Sequence, residues 1–180
     1  MAVLARALNV LALLGIIGVL LFAFYHQVML GELPCALCLI QRAALIAAGF
    51  GFMLNVRFGS SESHYGVVIV SALAGGAVAA RQVLQYIVPD FGSSGPELYG
   101  WHLYTWTVVL FFGLALLAGV QLFIQAQFFE GVHDLRPTML SYVASWVFVA
   151  VALAHVVSTV LQCAFGPCAG SMVEYELLQK

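Results

Sequence analysis

Charge is what this sequence has least of. Only 8% of its 180 residues are charged, six basic and eight acidic, for a formal net charge of −2. A soluble domain carries roughly 25% charged and about 45–50% apolar residues. Here the hydrophobic share is 63% and the mean hydropathy is +1.04. So few basic residues exclude a nucleic-acid binder, which needs a positive electrostatic footprint. Low charge with high hydrophobicity excludes an intrinsically disordered chain. Internal repeats, low-complexity segments and linkers long enough to divide domains are also lacking. What remains is an integral membrane protein, in which one helical span takes roughly 20 apolar residues.

Apolar runs between charges and turn residues predict five spans, at about 7–29, 35–56, 65–88, 104–129 and 140–161. The fold class expected is an all-α membrane bundle forming one domain over 1–180, with 162–180 as a short tail. The first run exceeds the usual apolar core of a cleavable signal, and no A-x-A-like site follows it, so it reads as a retained span. Ala72–Ala80 is a run of small residues that lets the third helix pack closely on a neighbour. The fourth span is rich in Leu and Phe, suits a lipid-facing position, and is flanked at its start by Trp101 and Trp106.

Basic residues near span ends set orientation. Arg6, Arg57 and Arg136 fall on one side, and Glu32, Asp90, Glu97, Glu174 and Glu176 on the other, with Lys180. The expected topology has the N-terminus in the cytoplasm and the C-terminus outside.

All four cysteines then lie on the outer side, Cys35 and Cys38 after span one, Cys163 and Cys168 after span five. That side permits disulfides and the cytosol disfavours them. In Cys35-Ala36-Leu37-Cys38 the i, i+3 spacing puts both sulfurs on one helix face. Pro34 suits a helix start. The free amides and positive dipole end there favour a thiolate, and a low-pKa thiol leaves readily in disulfide exchange. A static structural disulfide is the plainer alternative. In the second pair, Gly166-Pro167 makes a turn that lets Cys163 and Cys168 approach, either as a redox pair or as a permanent staple of the tail.

Arg42 follows Cys38 by four residues, inside an apolar span. An intramembrane charge is costly and marks a functional site by default. A guanidinium there can stabilise a Cys38 thiolate and donate hydrogen bonds to a polar ligand head. Arg81 in span three should reach a similar depth or snorkel to the interface. His155 in span five is either a ligand or proton relay, or a packed, hydrogen-bonded core residue. The other histidines show no metal-ligand spacing.

Leu33-Pro34-Cys35-Ala36-Leu37-Cys38-Leu39-Ile40-Gln41-Arg42 resembles the P-C-x-L-C-x-x-x-R signature of the DsbB family, the quinone-reducing membrane oxidases of disulfide formation. Ala80-Arg81-Gln82-Val83-Leu84-Gln85-Tyr86 is similar to the end of that family's third span, and the resemblance runs over roughly 7–125. It implies a four-helix bundle in the bacterial inner membrane, to which this chain adds a fifth helix. It also implies that Cys35 and Cys38 pass electrons to a bound quinone (ubiquinone or menaquinone), with Arg42 at the quinone site. The implied electron donor is a soluble DsbA-like thioredoxin-fold dithiol oxidase of the periplasm.

The family normally carries its second cysteine pair between spans three and four. Here that loop, Pro89 to Leu103, has none, and Ser93-Ser94-Gly95-Pro96 stands where a cysteine beside Gly-Pro is expected. Cys163 and Cys168, brought to the same side by span five, are the candidates to replace it. Two rivals differ in kind. A vitamin K epoxide reductase-like protein also joins a membrane C-x-x-C to a quinone-type substrate, but generally carries the motif late in the bundle. A four-thiolate metal site is disfavoured by the oxidising compartment, the C-x4-C spacing and Arg42.

Overall fold

The structure, a computed structural model, describes residues 2–87, 97–128 and 138–163. Five helices carry the apolar runs: α1 (Ala2–Met29), α2 (Ala36–Phe58), α3 (Glu62–Ile87), α4 (Leu103–Phe128) and α5 (Met139–Cys163). All five are long and apolar enough to cross a membrane. In lipid a spanning segment must satisfy its own backbone, which is why these runs are helical. α1 begins at Ala2, five residues before the expected 7, and the other helix ends lie within three residues of the expected bounds. Arg136, Ser94 and 164–180, which includes Cys168, lie outside the described residues.

The helix ends follow local chemistry. Gly31 takes a left-handed φ of 69°, and the Leu30 and Glu32 amides return to the His26 carbonyl. Glycine adopts that conformation without steric cost, so α1 stops there. Cys35 caps α2: its sulfur accepts from the Cys38 amide, 3.2 Å away. The motif therefore straddles the helix start. Before α4 the chain forms a small hairpin of β1 (Glu97–Leu98) and β2 (Trp101–His102), with Leu98 opposite Trp101. Tyr99 and Gly100 turn it at φ 53° and 77°. The Trp106 indole donates to the Leu98 carbonyl at 3.0 Å, and its ring lies 5.6 Å from that of Trp101.

α2 is the middle of the bundle. It packs on α3 along one side and on α1 and α5 along the other, and α4 covers α3. Close approach depends on helical glycines, Gly49 and Gly75 among them. A Cβ at Gly49 would meet the Phe148 ring of α5 at 2.5 Å and Ile16 of α1 at 3.2 Å. A Cβ at Gly75 would meet the Phe111 ring of α4 at 2.3 Å and Ala44 of α2 at 2.8 Å. Phe52, Phe111, Phe148, Leu13, Ile16 and Tyr65 fill the core between them. The outward faces stay apolar, with Phe112, Leu116 and Phe123 exposed on α4 while Phe111, Leu114 and Ala118 face in. Lipid can solvate those outward faces.

The end of the bundle away from the cysteines is closed by buried polar side chains. Asn9 on α1 donates to the Tyr65 hydroxyl at 2.8 Å and to Gln121 Oε1 at 3.1 Å, and accepts from Asn55 Nδ2 at 3.3 Å. One residue from each of α1, α2, α3 and α4 thus meets in one network, where a buried amide without a partner would be costly. Arg57 at the same end stacks over the Tyr142 ring of α5 at 4.4 Å.

Candidate functional site

The opposite end gathers the chemistry. The C-terminal ends of α1, α3 and α5 meet the start of α2, because successive helices run in alternate directions. Cys35 and Cys38 are joined as a disulfide, with Cα atoms 5.0 Å apart. Both are half-buried. One turn further along α2, Gln41 is buried and donates to Gln82 Oε1 of α3 at 2.7 Å. That bond turns the Gln82 Nε2 group toward the disulfide, 3.8 Å from each sulfur.

Arg42 leaves the helix on its other side. Its guanidinium donates to Gln27 Oε1 and, at 3.2 Å, to the Ala23 carbonyl, both on α1. Gln27 is buried and donates in turn to Ser158 of α5 at 2.6 Å. His155, one turn earlier on α5, is buried, meets the Leu20 carbonyl at 3.0 Å and sets its ring edge-on to Phe24 at 5.3 Å. At the end of α5 the buried Gln162 donates to the Pro34 carbonyl at 2.9 Å. Cys163 follows it directly, is buried, and carries no free thiol.

The residues expected from the sequence therefore divide. Cys35, Cys38, Arg42, His155 and Cys163 lie at one end of the bundle, and Arg42 and His155 both bond to α1. Cys168 lies outside the described residues. Arg81 does not join the group. A helix turns about 100° per residue, so with Gln82 facing α2, Arg81 points outward and is exposed. Gln82 supplies a side-chain polar contact to the disulfide sulfurs.

Gln27, Gln41, Gln82, Ser158 and Gln162 were not anticipated. The sequence did carry a signal for them. An amide in an apolar span needs a partner much as a charge does, and Gln41 stands three residues after Cys38.

The chain matches the profile of the family described as disulfide bond formation protein DsbB over residues 5–94, which is α1 to α3 with the whole P-C-x-L-C-x-x-x-R segment. The chain belongs to the DsbB family. It is similar to disulfide bond formation protein B of Nitrosomonas eutropha, 37% identical over 89 residues, covering 47% of this chain and 55% of that protein. It is also similar to disulfide bond formation protein B of Polaromonas naphthalenivorans, 37% identical over 100 residues, covering 53% and 59%. Disulfide bond formation protein B 1 of Pseudomonas fluorescens strain Pf-5 is 40% identical over 93 residues, covering 48% and 54%. The chain spans about half the length of the curated relatives it matches. No solved structure matches it. Five apolar helices in a DsbB-family chain make it a multi-pass membrane protein. The family match ends at residue 94, so α4 and α5 lie beyond it.

Proposed function

We propose that this DsbB-family chain is a membrane oxidase that regenerates a periplasmic DsbA-like dithiol oxidase and passes the electrons to a membrane quinone. It sits in the bacterial inner membrane with its cysteines on the periplasmic side. The observation that carries the proposal is the bond from Gln162 to the Pro34 carbonyl. It ties the residue before Cys163 to the residue before Cys35. The fifth helix thus brings Cys163 to the C-x-x-C from a different part of the chain than the loop between α3 and α4.

Electrons enter at Cys163–Cys168. A donor thiolate attacks that disulfide, forming a mixed disulfide, and the donor's second thiol resolves it. The released Cys163/Cys168 dithiol then reduces Cys35–Cys38 by the same kind of exchange. The donor leaves oxidised, and one dithiol has moved inward.

The donor set suits a quinone. A half-buried guanidinium and the amides of Gln27, Gln41 and Gln82 stand beside a redox-active sulfur pair in otherwise apolar surroundings. A quinone, when bound, supplies a two-electron acceptor. Arg42 would hold its polar head with N–H groups in a water-poor site, where fixed donors act most strongly. Gln27 and the Ala23 carbonyl hold the guanidinium in place. His155 fixes α5 against α1 through Leu20. We assign no ligand contact to Arg81.

The experiment is anaerobic quinone reduction by a reduced DsbA-like protein. The wild-type protein should reduce quinone in proportion to donor oxidised, and Cys35→Ala with Cys38→Ala should abolish it. Quinone reduction that persists in that variant would refute the proposal.

A further inference from the structure

The two sulfurs of the C-x-x-C differ in what surrounds them. The Cys35 sulfur receives a backbone amide, that of Cys38, at 3.2 Å. The Cys38 sulfur cannot receive its own amide in this way. Among the described residues its hydrogen-bond donor is Gln82 Nε2, at 3.8 Å and equally far from Cys35. A neutral disulfide sulfur is a weak acceptor, and contacts of this length suit it. A thiolate is a much stronger one, and charge-assisted bonds are shorter and roughly twice as strong as neutral ones.

Gln82 is also oriented in advance. Its oxygen is held by Gln41 Nε2 at 2.7 Å, so its N–H groups must face the sulfurs. Gln41 and Gln82 are both buried, at 7% and 4% exposure. This amide pair sits one turn from a redox cysteine in an apolar bundle. Arg42 donates to Gln27 and to the Ala23 carbonyl on the α1 side.

We infer that Gln82 is the donor that stabilises the Cys38 thiolate when the Cys35–Cys38 disulfide opens, and that Gln41 is the positioning residue that aims it. This rests on reading Cys35–Cys38 as the redox pair. In the step concerned, an incoming thiolate attacks Cys35 Sγ. A sulfur–sulfur bond forms between the two, the Cys35–Cys38 bond breaks, and its electron pair leaves on Cys38 Sγ. No proton moves. The new anion appears beside an N–H that is already in place, so no reorganisation is needed at that moment.

The test is the equilibrium of Cys35–Cys38 with reduced and oxidised glutathione in detergent micelles, in a Cys163→Ala and Cys168→Ala background so that one pair is read. Quinone and protein donor are both left out, so the result does not depend on either. Gln82→Leu keeps the side-chain bulk and removes the donor. It should make the disulfide harder to reduce by roughly tenfold, equivalent to about 30 mV for a two-electron couple. Gln82→Glu puts an acceptor where the donor was and should act in the same direction and further. Gln41→Leu should give a smaller shift of the same sign. Slower alkylation of Cys38 at neutral pH should accompany each shift, a readout that a purely structural role would not move. An unchanged equilibrium and alkylation rate in Gln82→Leu overturns the inference. If Gln82→Leu does not fold, an unchanged equilibrium in Gln82→Glu overturns it equally. A wild-type pair that never equilibrates with glutathione overturns the redox-pair reading and this inference with it.

Discussion

Gly75→Ala should loosen the bundle where α2, α3 and α4 meet. The added Cβ would lie 2.3 and 2.5 Å from two ring atoms of Phe111 and 2.8 Å from the Ala44 Cβ. Carbon atoms pack best at about 3.5–4.0 Å, so every one of these contacts is a severe overlap. Phe111 is 1% exposed and its ring is hemmed in, and a methyl group on Ala44 cannot rotate away. The helices must therefore separate. Overpacking of this kind costs about 1–3 kcal/mol. Gly76 is the control, because a Cβ there meets only the Phe111 Cβ, at 3.5 Å. Both substitutions gain the same helix preference, roughly 0.5–1 kcal/mol. Subtracting one variant from the other therefore isolates the clash. The difference should be about 1–3 kcal/mol, or a factor of roughly 5–150 in the folded-to-unfolded ratio. The assay is unfolding of micelle-embedded protein by rising SDS, followed by tryptophan fluorescence. Phe111→Leu should restore part of the loss in Gly75→Ala. Gly75 also lies seven residues before Gln82, two turns along the same face of α3, so the separation should weaken the Gln41–Gln82 bond too. Equal stability of Gly75→Ala and Gly76→Ala would refute the packing argument.

Three further outcomes follow from the same contacts. Tyr65→Phe removes the hydroxyl that Asn9 donates to and that contacts Gln121. At about 0.6 kcal/mol per intramembrane hydrogen bond it should destabilise by roughly 1 kcal/mol in the same unfolding assay. The Cys35–Cys38 equilibrium at the far end should not change. Gln162→Leu frees the end of α5 from the Pro34 carbonyl. Amide exchange over residues 35–39 should rise roughly threefold, as expected for a bond of about 0.6 kcal/mol, and exchange at the wild-type rate would contradict the tie. Arg42→Ala should slow quinone reduction while a thiol count still finds both disulfides formed. Unchanged quinone kinetics would remove Arg42 from the site.

The spans were legible because lipid leaves an apolar run few choices. The start of α2 was legible because Pro34 and the cysteine spacing mark it. The hairpin at 97–102 was hidden: its turn needs positive φ at two residues, and Tyr99 is not a residue that announces one. The site was half legible. Arg42 and Arg81 drew attention by their charge, yet charge does not say which way a helix faces. That is decided by packing. Gly75, Ala79 and Gln82 lie on one face of α3, the first admitting Ala44 and the second fully buried, and this face turns Gln82 inward and Arg81 out. Arg42 shares a helix side with Cys38 by spacing, but its long side chain reaches the Ala23 carbonyl of α1. The amides carried the information that the charges did not.

The proposed electron path runs from Cys163 and Cys168 to Cys35–Cys38. The most direct measurement is the anaerobic rate of oxidation of a reduced DsbA-like protein by the Cys163→Ala, Cys168→Ala variant with quinone present. Peptide mapping in the same sample checks that Cys35–Cys38 is still formed. Donor oxidation should fall to the uncatalysed rate while that disulfide stays intact. Oxidation of the donor at the wild-type rate would contradict it.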